Sequence, residues 1–273
     1  MTVQQIQTNT QPKLVALFAS DIHLQPSLPR TTQFFFNFLK QHAPQAEQLY
    51  LLGDLFEYWA GDDDMDSPYH QEVIAAIRAV SDTGTKVFWI AGNRDFLIGT
   101  GFASATGAQL LADPSVIHIA GRPILITHGD AQCSDDLAYM SFRTMVRQEQ
   151  WQKEFLSLPL SQRKTIIEGL RKDSKIEKKE KTLTIMDVNP DAICRLFLDN
   201  NVKTIIHGHT HRPAIHQDVE GVRYVLPDWE CDIANEKSRG GWLAIYDNGE
   251  ILFHHLDGNI NNIFQSLQYN TPP

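Results

Sequence analysis

Five short clusters of potential metal-binding residues, each placed directly after a run of apolar residues, constrain this chain more than any other feature. In chain order they are Asp21-Ile22-His23, Gly53-Asp54, Gly92-Asn93-Arg94-Asp95, His128-Gly129-Asp130 and His207-Gly208-His209-Thr210-His211. The preceding apolar runs are four to six residues long and lack strict alternation, which is typical of strands buried on both faces. Together they predict five strands whose ends carry a metal site.

Helical patterns lie between the earlier runs. Residues 31–41 and 67–81 carry apolar side chains at helical spacing. Strands that alternate with helices indicate an α/β layer structure, in which ligands gather where the carboxyl ends of the strands converge.

The end of the chain has a different pattern. Residues 222–226 and 242–246 are strand candidates, and an Asp247-Asn248-Gly249 turn leads from the latter into residues 251–255. We expect this hairpin on a second sheet. The whole pattern predicts an α/β fold with four layers, an α/β/β/α sandwich.

The segment 135–200 interrupts the alternation, because it contains helical patterns and no clear strand. We expect a helical cap inserted into a core formed by residues 14–134 and 201–265, after a disordered tail at residues 1–13. Residues 143–181 contain eleven Lys or Arg and six Asp or Glu, in a chain of formal charge −9. A solvated helical decoration also explains this basic charge. A cap over an anionic substrate is favoured because the insertion lies between the fourth and fifth clusters.

Composition narrows the class of protein. The charge of −9 argues against a general nucleic-acid binder, and we expect no nucleic-acid partner. Three widely spaced cysteines indicate a reducing compartment without a disulfide framework. No apolar run reaches the roughly 18 residues of a membrane span, and the start lacks the apolar segment of a signal peptide. We expect a cytoplasmic protein that touches a membrane surface.

The first two clusters suit a pair of divalent cations. Two such ions close together need a shared ligand, and a carboxylate serves because its two oxygens can bridge. Asp54 is the candidate bridge. Asp21 and His23 project from the same side of an extended segment, so they can bind one ion together.

The later clusters complete a mixed set of ligands. His207 and His209 share the same i, i+2 relation, Asn93 offers a neutral oxygen and His128 offers a nitrogen. Such a set suits manganese, iron or zinc better than magnesium or calcium. Side chains expected to orient the ligands are Glu57, Asp130 and His211.

The order of these motifs resembles that of the calcineurin-like metallophosphoesterase superfamily, across roughly residues 14–260. The resemblance implies a four-layer sandwich around a dinuclear metal centre. It places one ion on Asp21, His23, Asp54 and His209, and the other on Asp54, Asn93, His128 and His207.

Arg94 departs from the commonest pattern of that superfamily, in which a histidine is thought to protonate the leaving alkoxide. Arginine cannot act as a general acid at neutral pH, but it clamps phosphate oxygens. A phosphate leaving group needs no proton, since its second pKa is about 6. Arg94 therefore favours a pyrophosphate substrate over a monoester or phosphodiester.

Longer motifs are similar to those of the UDP-2,3-diacylglucosamine pyrophosphohydrolase family of lipid A synthesis. They are Gly53–Glu57, Gly61–Asp64, Gly92–Leu97, His128–Asp130, Thr184–Asn189 and His207–Pro213. This resemblance implies hydrolysis of a lipid-linked UDP-sugar at the α-phosphate, giving UMP and 2,3-diacylglucosamine 1-phosphate. It also implies two manganese ions and a peripheral location on the cytoplasmic face of the inner membrane.

The same resemblance assigns roles to individual residues. Catalysis is expected to depend on Asp54, Asn93, Arg94 and His207. Substrate contacts are expected from Asn93, Arg94, Asp136, Ser174, Lys178, Lys181 and His207. The acyl chains are expected to contact apolar residues of the insertion, namely Met140, Phe142, Met145, Trp151, Phe155, Leu156 and Leu158.

Three other functions remain open on the sequence. One is a phosphodiesterase or nucleotide pyrophosphatase of the same superfamily with a soluble substrate, which the basic, apolar insertion disfavours. A second is a nuclease, which the acidic charge disfavours. The third is a scaffold without activity, which the complete set of ligand positions disfavours.

Overall fold

A computed structural model describes residues 11–180 and 187–260, with side chains of 172–180 left out. The strands are β1 (Leu14–Ala19), β2 (Gln48–Leu51), β3 (Lys86–Ile90), β4 (Gln109–Leu111), β5 (Ser115–Ile119), β6 (Arg122–Thr127), β7 (Thr204–His207), β8 (Ala214–Asp218), β9 (Gly221–Val225), β10 (Gly241–Tyr246) and β11 (Ile251–His255). The helices are α1 (Pro29–Gln41), α2 (Pro68–Asp82), α3 (Thr100–Thr106), α4 (Leu137–Val146), α5 (Glu149–Leu156), α6 (Leu160–Glu180) and α7 (Pro190–Asn200). The predicted tail at residues 1–13 lies outside the described residues except for its last three positions.

The strands form two sheets that pack face to face. The first has the order β11-β10-β1-β2-β3-β4 and the second β5-β6-β7-β9-β8. Alternate residues of β1 divide between the layers: Phe18 packs towards the second sheet, whereas Leu17 and Ala19 pack with α1 and α2. This period of two is the pleat of a strand buried on both faces. The four-layer α/β/β/α sandwich predicted from the sequence is confirmed.

The terminal hairpin β10–β11 belongs to the first sheet, so the prediction that it lies on a second sheet is wrong. β10 pairs antiparallel with β1, with Phe18 opposite Leu243. Both faces of β10 are apolar: Leu243 packs between the sheets, and Trp242 contacts Phe38 of α1 at a centroid distance of 4.8 Å. A strand with two apolar faces is stabilised inside a sheet that is covered on both sides.

The insertion divides between two layers of the molecule. Helix α7 lies within the predicted cap segment 135–200, but its Ile193 and Phe197 pack against Leu125 of β6 and Ile205 of β7. This helix therefore forms the outer layer over the second sheet. Helices α4, α5 and α6 lie outside the four layers and are called the cap below.

The sequence predicted that the chain has no membrane-spanning segment and no disulfide framework. Among the described residues, none of the helices combines the length and the apolar character that crossing a bilayer requires. Cys133, Cys194 and Cys231 are free thiols.

Candidate metal centre

The five clusters lie together because of strand direction. β1, β2 and β3 run parallel in the first sheet, and β6 and β7 run parallel in the second. Their carboxyl ends therefore emerge at one edge of the sandwich. Backbone hydrogen bonds join the loops there: Asp21 N donates to Gly53 O over 3.1 Å, and Gly208 N donates to His128 O over 3.0 Å.

One group of ligands consists of Asp21, His23 and His211, whose donor atoms all lie within 4.8 Å of one another. The Nε2 atoms of His23 and His211 are 3.2 Å apart, and His211 Nε2 is 3.5 Å from Asp21 Oδ1. Asp21 is fully buried, and its Oδ1 makes no hydrogen bond. Two imidazole nitrogens that face each other and an unpaired carboxylate oxygen form a set that a divalent cation would satisfy.

A second group surrounds Asn93. Its Oδ1 is 3.0 Å from His128 Nε2 and 2.9 Å from His209 Nδ1. The donor atoms of Asp21, Asp54 and His128 also lie within 4.8 Å of one another. An amide oxygen placed between two imidazole nitrogens again matches a site for an ion with mixed oxygen and nitrogen ligands.

Asp54 lies between the two groups. Its Oδ2 is 3.9 Å from His23 Nε2, and its Oδ1 is 3.6 Å from His128 Nε2. Each carboxylate oxygen is thus directed to a different group, which is the arrangement that a bridging ligand needs.

His207, which the sequence predicted as a ligand, does not join either group. Its Nδ1 donates to Gly208 O over 2.9 Å, and its Nε2 accepts from Arg223 Nη1 over 3.1 Å. Burial, with the neighbouring Arg223 charge, lowers the pKa of His207 to about 3, so the ring is neutral. Both ring nitrogens of His207 have protein partners here, and its role as a ligand stays a prediction. His211, which the sequence had suggested only as an orienting residue, lies among the donor atoms of the first group.

Several of the candidate ligands adopt an unusual backbone conformation. Five of the described non-glycine residues with positive φ are Asp21 (54°), His23 (52°), Asp54 (51°), His209 (68°) and His211 (55°). This left-handed region is strained for residues with a Cβ and persists where surrounding contacts impose it, often at functional sites. His207, which lies in β7, is not among them.

Gly208 permits the close approach of the first and fifth loops. A Cβ atom at this position would lie 2.2 Å from Asp21 Oδ2. The same carboxylate oxygen accepts from His209 N over 2.9 Å and from Ser20 Oγ over 2.6 Å. Only glycine leaves room for this contact.

Glu57 connects the first group to the cap. Its Oε2 is 3.0 Å from His23 Nδ1, and its other oxygen forms an ion pair with Arg171 of α6. Burial opposes ionisation of Glu57, but its contact with His23 and the charges of Arg94 and Arg171 lower its pKa to about 2. Glu57 is therefore an anion that orients the His23 ring, as carboxylates beside ligand histidines commonly do.

Asp95 holds the second and third loops together, a role that the sequence did not suggest. Its buried carboxylate accepts hydrogen bonds from Leu55 N over 2.8 Å, Gly92 N over 3.0 Å and Asp54 N over 3.3 Å. The only signal in the sequence was its position inside the third cluster.

Asp130 connects the fourth loop to α4 of the cap. It accepts from Tyr139 Oη over 2.6 Å and from Arg143 Nε over 2.8 Å. The Tyr139 ring lies over that of His209 at an interplanar angle of 28°, with centroids 6.1 Å apart. Asp136, a predicted substrate contact, caps α4 by accepting from Tyr139 N over 3.1 Å. The start of the cap therefore borders the second ligand group.

The remaining predicted substrate contacts are described in part. Arg94 is half-buried, and its backbone N donates to Asp54 Oδ1 over 2.8 Å. Ser174 and Lys178 lie in the part of α6 without described side chains, and Lys181 lies outside the described residues.

The apolar residues predicted to hold acyl chains differ in exposure. Phe155 is buried and stacks on Trp151 at 4.8 Å, next to Phe96 of the core. Met145 and Leu156 are 44% and 40% exposed. The cap thus has an apolar attachment to the core and an apolar surface that remains open.

The donor set fits a divalent metal site. Two buried carboxylates, Asp21 and Asp54, lie within one cluster, and buried like charges are costly unless a cation offsets them. The surrounding nitrogens and the amide oxygen match an ion of the manganese, iron or zinc type. The fold and site therefore define a metal-dependent phosphoesterase.

Comparison with known proteins agrees with this class. Residues 14–213 match the family model described as calcineurin-like phosphoesterase. The chain is 48% identical over 221 residues to the UDP-2,3-diacylglucosamine hydrolase of Aromatoleum aromaticum, covering 80% of this chain and 90% of that protein. It is 42% identical over 242 residues to the protein of the same name from Klebsiella pneumoniae, covering 88% and 99%.

The chain thus belongs to the calcineurin-like phosphoesterase family and, within it, to the group that contains the UDP-2,3-diacylglucosamine hydrolases. The family predicted from the motif order is confirmed. A predicted phosphoesterase of known structure from Streptococcus pneumoniae aligns with a TM-score of 0.46 and 11% identity, covering 92% of this chain and 95% of that one.

Proposed function

We propose that this protein hydrolyses the pyrophosphate bond of UDP-2,3-diacylglucosamine at the α-phosphate, giving UMP and 2,3-diacylglucosamine 1-phosphate. The observation that carries the proposal is Arg94, which follows a candidate ligand and is bound through its backbone N to the bridging candidate Asp54 at 2.8 Å. A guanidinium at this place clamps phosphate oxygens and donates no proton to a leaving group. Relatives at 42–48% identity carry the name UDP-2,3-diacylglucosamine hydrolase.

The proposed cofactor is a pair of manganese ions. The first ion would be held by Asp21, His23, Asp54 and His211, and the second by Asp54, Asn93, His128 and His209. Such a pair supplies a nucleophile at neutral pH and positive charge against the phosphate oxygens. In this assignment His209 and His211 replace the predicted pair His207 and His209.

The chain's own residues then have three tasks. Arg94 binds non-bridging phosphate oxygens and offsets the charge that develops on them. Asp95 and Glu57 hold the second loop and the His23 ring in place. The departing phosphate leaves without a general acid, because its second pKa of about 6 makes it a stable anion near neutral pH.

The cap would bind the lipid half of the substrate. Exposed apolar residues of α4 and α5, such as Met145 and Leu156, provide surface for acyl chains. The sequence of α6 includes Arg171-Lys172 and is rich in positive charge. Exposed apolar residues in a basic segment also favour a peripheral location on an anionic membrane, which we propose to be the cytoplasmic face of the inner membrane.

The test is an assay with UDP-2,3-diacylglucosamine, with and without Mn²⁺, in ¹⁸O-labelled water. We expect metal-dependent turnover with the label in UMP, because attack occurs at the α-phosphate. UDP-N-acetylglucosamine, which lacks the acyl chains, should be hydrolysed at least about a hundredfold less efficiently. Label in the lipid product, or equal turnover of the two substrates, contradicts the proposal.

A further inference from the structure

A sixth loop, outside the five clusters, also reaches the metal centre. It joins β9 to β10, and β9 runs parallel to β7 with Val225 beside His207. The carboxyl end of β9 therefore emerges at the same edge of the sandwich as the five clusters. Within this loop, Trp229 N donates to Asp21 O over 3.0 Å. The proposed chemistry has so far given this loop no role.

Asp228 of this loop lies beside the first group of ligands. It is 4% exposed, and its Oδ2 lies 3.4 Å from His211 Nδ1. The other ring nitrogen of His211, Nε2, lies 3.2 Å from His23 Nε2 and 3.5 Å from Asp21 Oδ1. The ring of His211 thus has the Asp228 carboxylate at its outer nitrogen and the candidate ligands at its inner one.

The same arrangement surrounds His23. Its Nδ1 is 3.0 Å from Glu57 Oε2, and Glu57 pairs with Arg171 of the cap. Asp228 is paired in the same way, because Arg239 Nη2 donates to its Oδ2 over 2.8 Å and Arg239 Nε donates to the same oxygen over 3.1 Å. Each of the two facing imidazoles therefore has a carboxylate behind it, and an arginine holds each carboxylate.

We infer that Asp228 is a positioning residue for the metal centre, which sets the orientation and the tautomer of His211. The inference rests on the proposed function, in which His211 binds the first ion. An imidazole that binds a cation through Nε2 carries its hydrogen on Nδ1, and a carboxylate facing Nδ1 favours this form. Such a carboxylate also makes the imidazole a more basic ligand. Asp228 thus raises the affinity for the first ion through His211.

A purely structural role for Asp228 predicts a different outcome. In that case Asp228 would only tie its loop together through Arg239, and its loss would lower stability and weaken both ions alike. If Asp228 acts through His211, its loss weakens the first ion selectively, because His211 belongs only to the first group. The two roles can therefore be separated by measuring each ion.

The test is titration of the metal-free protein with Mn²⁺, followed by calorimetry and by electron paramagnetic resonance. Asp228→Asn, which keeps the shape of the side chain and removes its charge, should weaken binding of the first ion by about 10–100-fold and leave the second unchanged. With two equivalents of Mn²⁺, the wild-type spectrum should show a coupled pair of ions and the variant an isolated ion. Asp228→Ala, which removes the acceptor as well, should weaken the first ion further.

Asp232→Asn is the matched control, because Asp232 lies in the same loop and its carboxylate caps the start of α1. It accepts from Arg30 N over 2.9 Å and from Thr31 N over 2.8 Å. This variant should lower the melting temperature but leave Mn²⁺ binding unchanged. Thermal unfolding of every variant establishes that it is folded, and Asp228→Asn carries the test if Asp228→Ala is unstable.

Unchanged affinity for both ions in Asp228→Asn overturns the inference, and so does an equal loss of affinity for both. The same loss of Mn²⁺ binding in Asp232→Asn overturns it as well, because the effect would then belong to the loop rather than to His211. Wild-type protein that fails to bind two ions, or that binds them without hydrolysing UDP-2,3-diacylglucosamine, would instead disprove the proposed function.

Discussion

The loops at the carboxyl ends of the strands and the helices of the cap differ in how firmly their side chains are held. In the loops, buried carboxylates such as Asp21 and Asp95 are held by several hydrogen bonds, and candidate ligands adopt strained left-handed backbone. In the cap, ion pairs join the helices to the core: Arg163 is buried and pairs with Asp63, and Arg171 pairs with Glu57. Much of the apolar surface of the cap remains exposed.

This difference suggests that the loops carry out the reaction, whereas the cap binds the lipid part of the substrate. Many coupled contacts hold ligand atoms in place, so a change there should affect metal binding and turnover together. Exposed apolar residues in the cap can change without loss of the fold, so a change there should affect only the binding of the lipid. The following changes test that separation.

Asp54→Ala should have the largest effect, because it removes the candidate bridge between the two groups of ligands. We expect turnover of UDP-2,3-diacylglucosamine to fall by at least about a thousandfold, with loss of bound manganese. Steady-state kinetics and elemental analysis measure both quantities. Asp199→Ala, which removes an exposed carboxylate on α7, is the matched control. Turnover within about tenfold of wild type would refute the bridging role.

Arg94→His should lower kcat/KM for the pyrophosphate by about a hundredfold, because the planar clamp on the phosphate oxygens is lost. Arg94→Lys keeps the charge without the paired donors and should show an intermediate loss. Kinetics of the two variants, at equal manganese occupancy, make the comparison. If Arg94→His hydrolysed the substrate as wild type does, arginine would have no role as a clamp.

Glu57→Gln should weaken manganese binding by about 10–100-fold, because the anion that orients the His23 ring is removed. Calorimetric titration of the metal-free protein with Mn²⁺ measures this. The control, Glu154→Gln, changes an exposed carboxylate on α5 of the cap. If Glu57→Gln bound manganese as tightly as wild type, Glu57 would have no role in orienting His23, and its only role would be the ion pair with Arg171.

Leu156→Asn should raise KM for the diacylated substrate by about tenfold with little change in kcat, because this exposed side chain is proposed to contact an acyl chain. Its melting temperature should stay close to that of wild type. Leu198→Asn is the control, since Leu198 is exposed on α7, away from the cap. A fall in kcat with unchanged KM would mean that the cap contributes to the chemical step.

The smallest effect concerns stability. Burial, with the nearby His254, lowers the pKa of His42 below its usual value, and the ring packs 4.5 Å from Trp242. The unfolded chain then binds more protons just below pH 6.5, so stability rises with pH there and falls as the solution is acidified. Denaturant unfolding of metal-free protein between about pH 7.5 and about pH 5.5 measures how the free energy of unfolding changes with pH. This slope should be smaller in His42→Gln than in wild type. An identical slope would exclude His42 as a source of the dependence.

The sequence predicted the layers, and that most of the candidate ligands would lie close together, because both depend on local pattern. A buried strand followed by a polar loop is visible within about ten residues, and parallel strands bring such loops to one edge. Asp21, His23, Asp54, Asn93, His128 and His209 all lie where this reasoning placed them, around two groups of donor atoms.

The positions of His207 and His211 show what a local sequence pattern cannot predict. Both residues are two positions from His209, so the i, i+2 rule allows either pair. The structure places them differently, because Arg223 Nη1 of β9 lies 3.1 Å from His207 Nε2, whereas His211 Nε2 lies 3.2 Å from that of His23, 188 positions away. The proposed assignment of His211 as a ligand rests on this difference.

By itself, the sequence therefore determined the class of chemistry, since the ligand types and their strand-end positions are written in short motifs. Arg94 likewise indicated the leaving group, because the nature of its side chain does not depend on packing. Only the tertiary structure decided which histidine lies beside His23, that Glu57 connects His23 to the cap, and that the terminal hairpin extends the first sheet. These depend on side-chain direction in left-handed loops and on strand pairing between distant segments, which no local periodicity encodes.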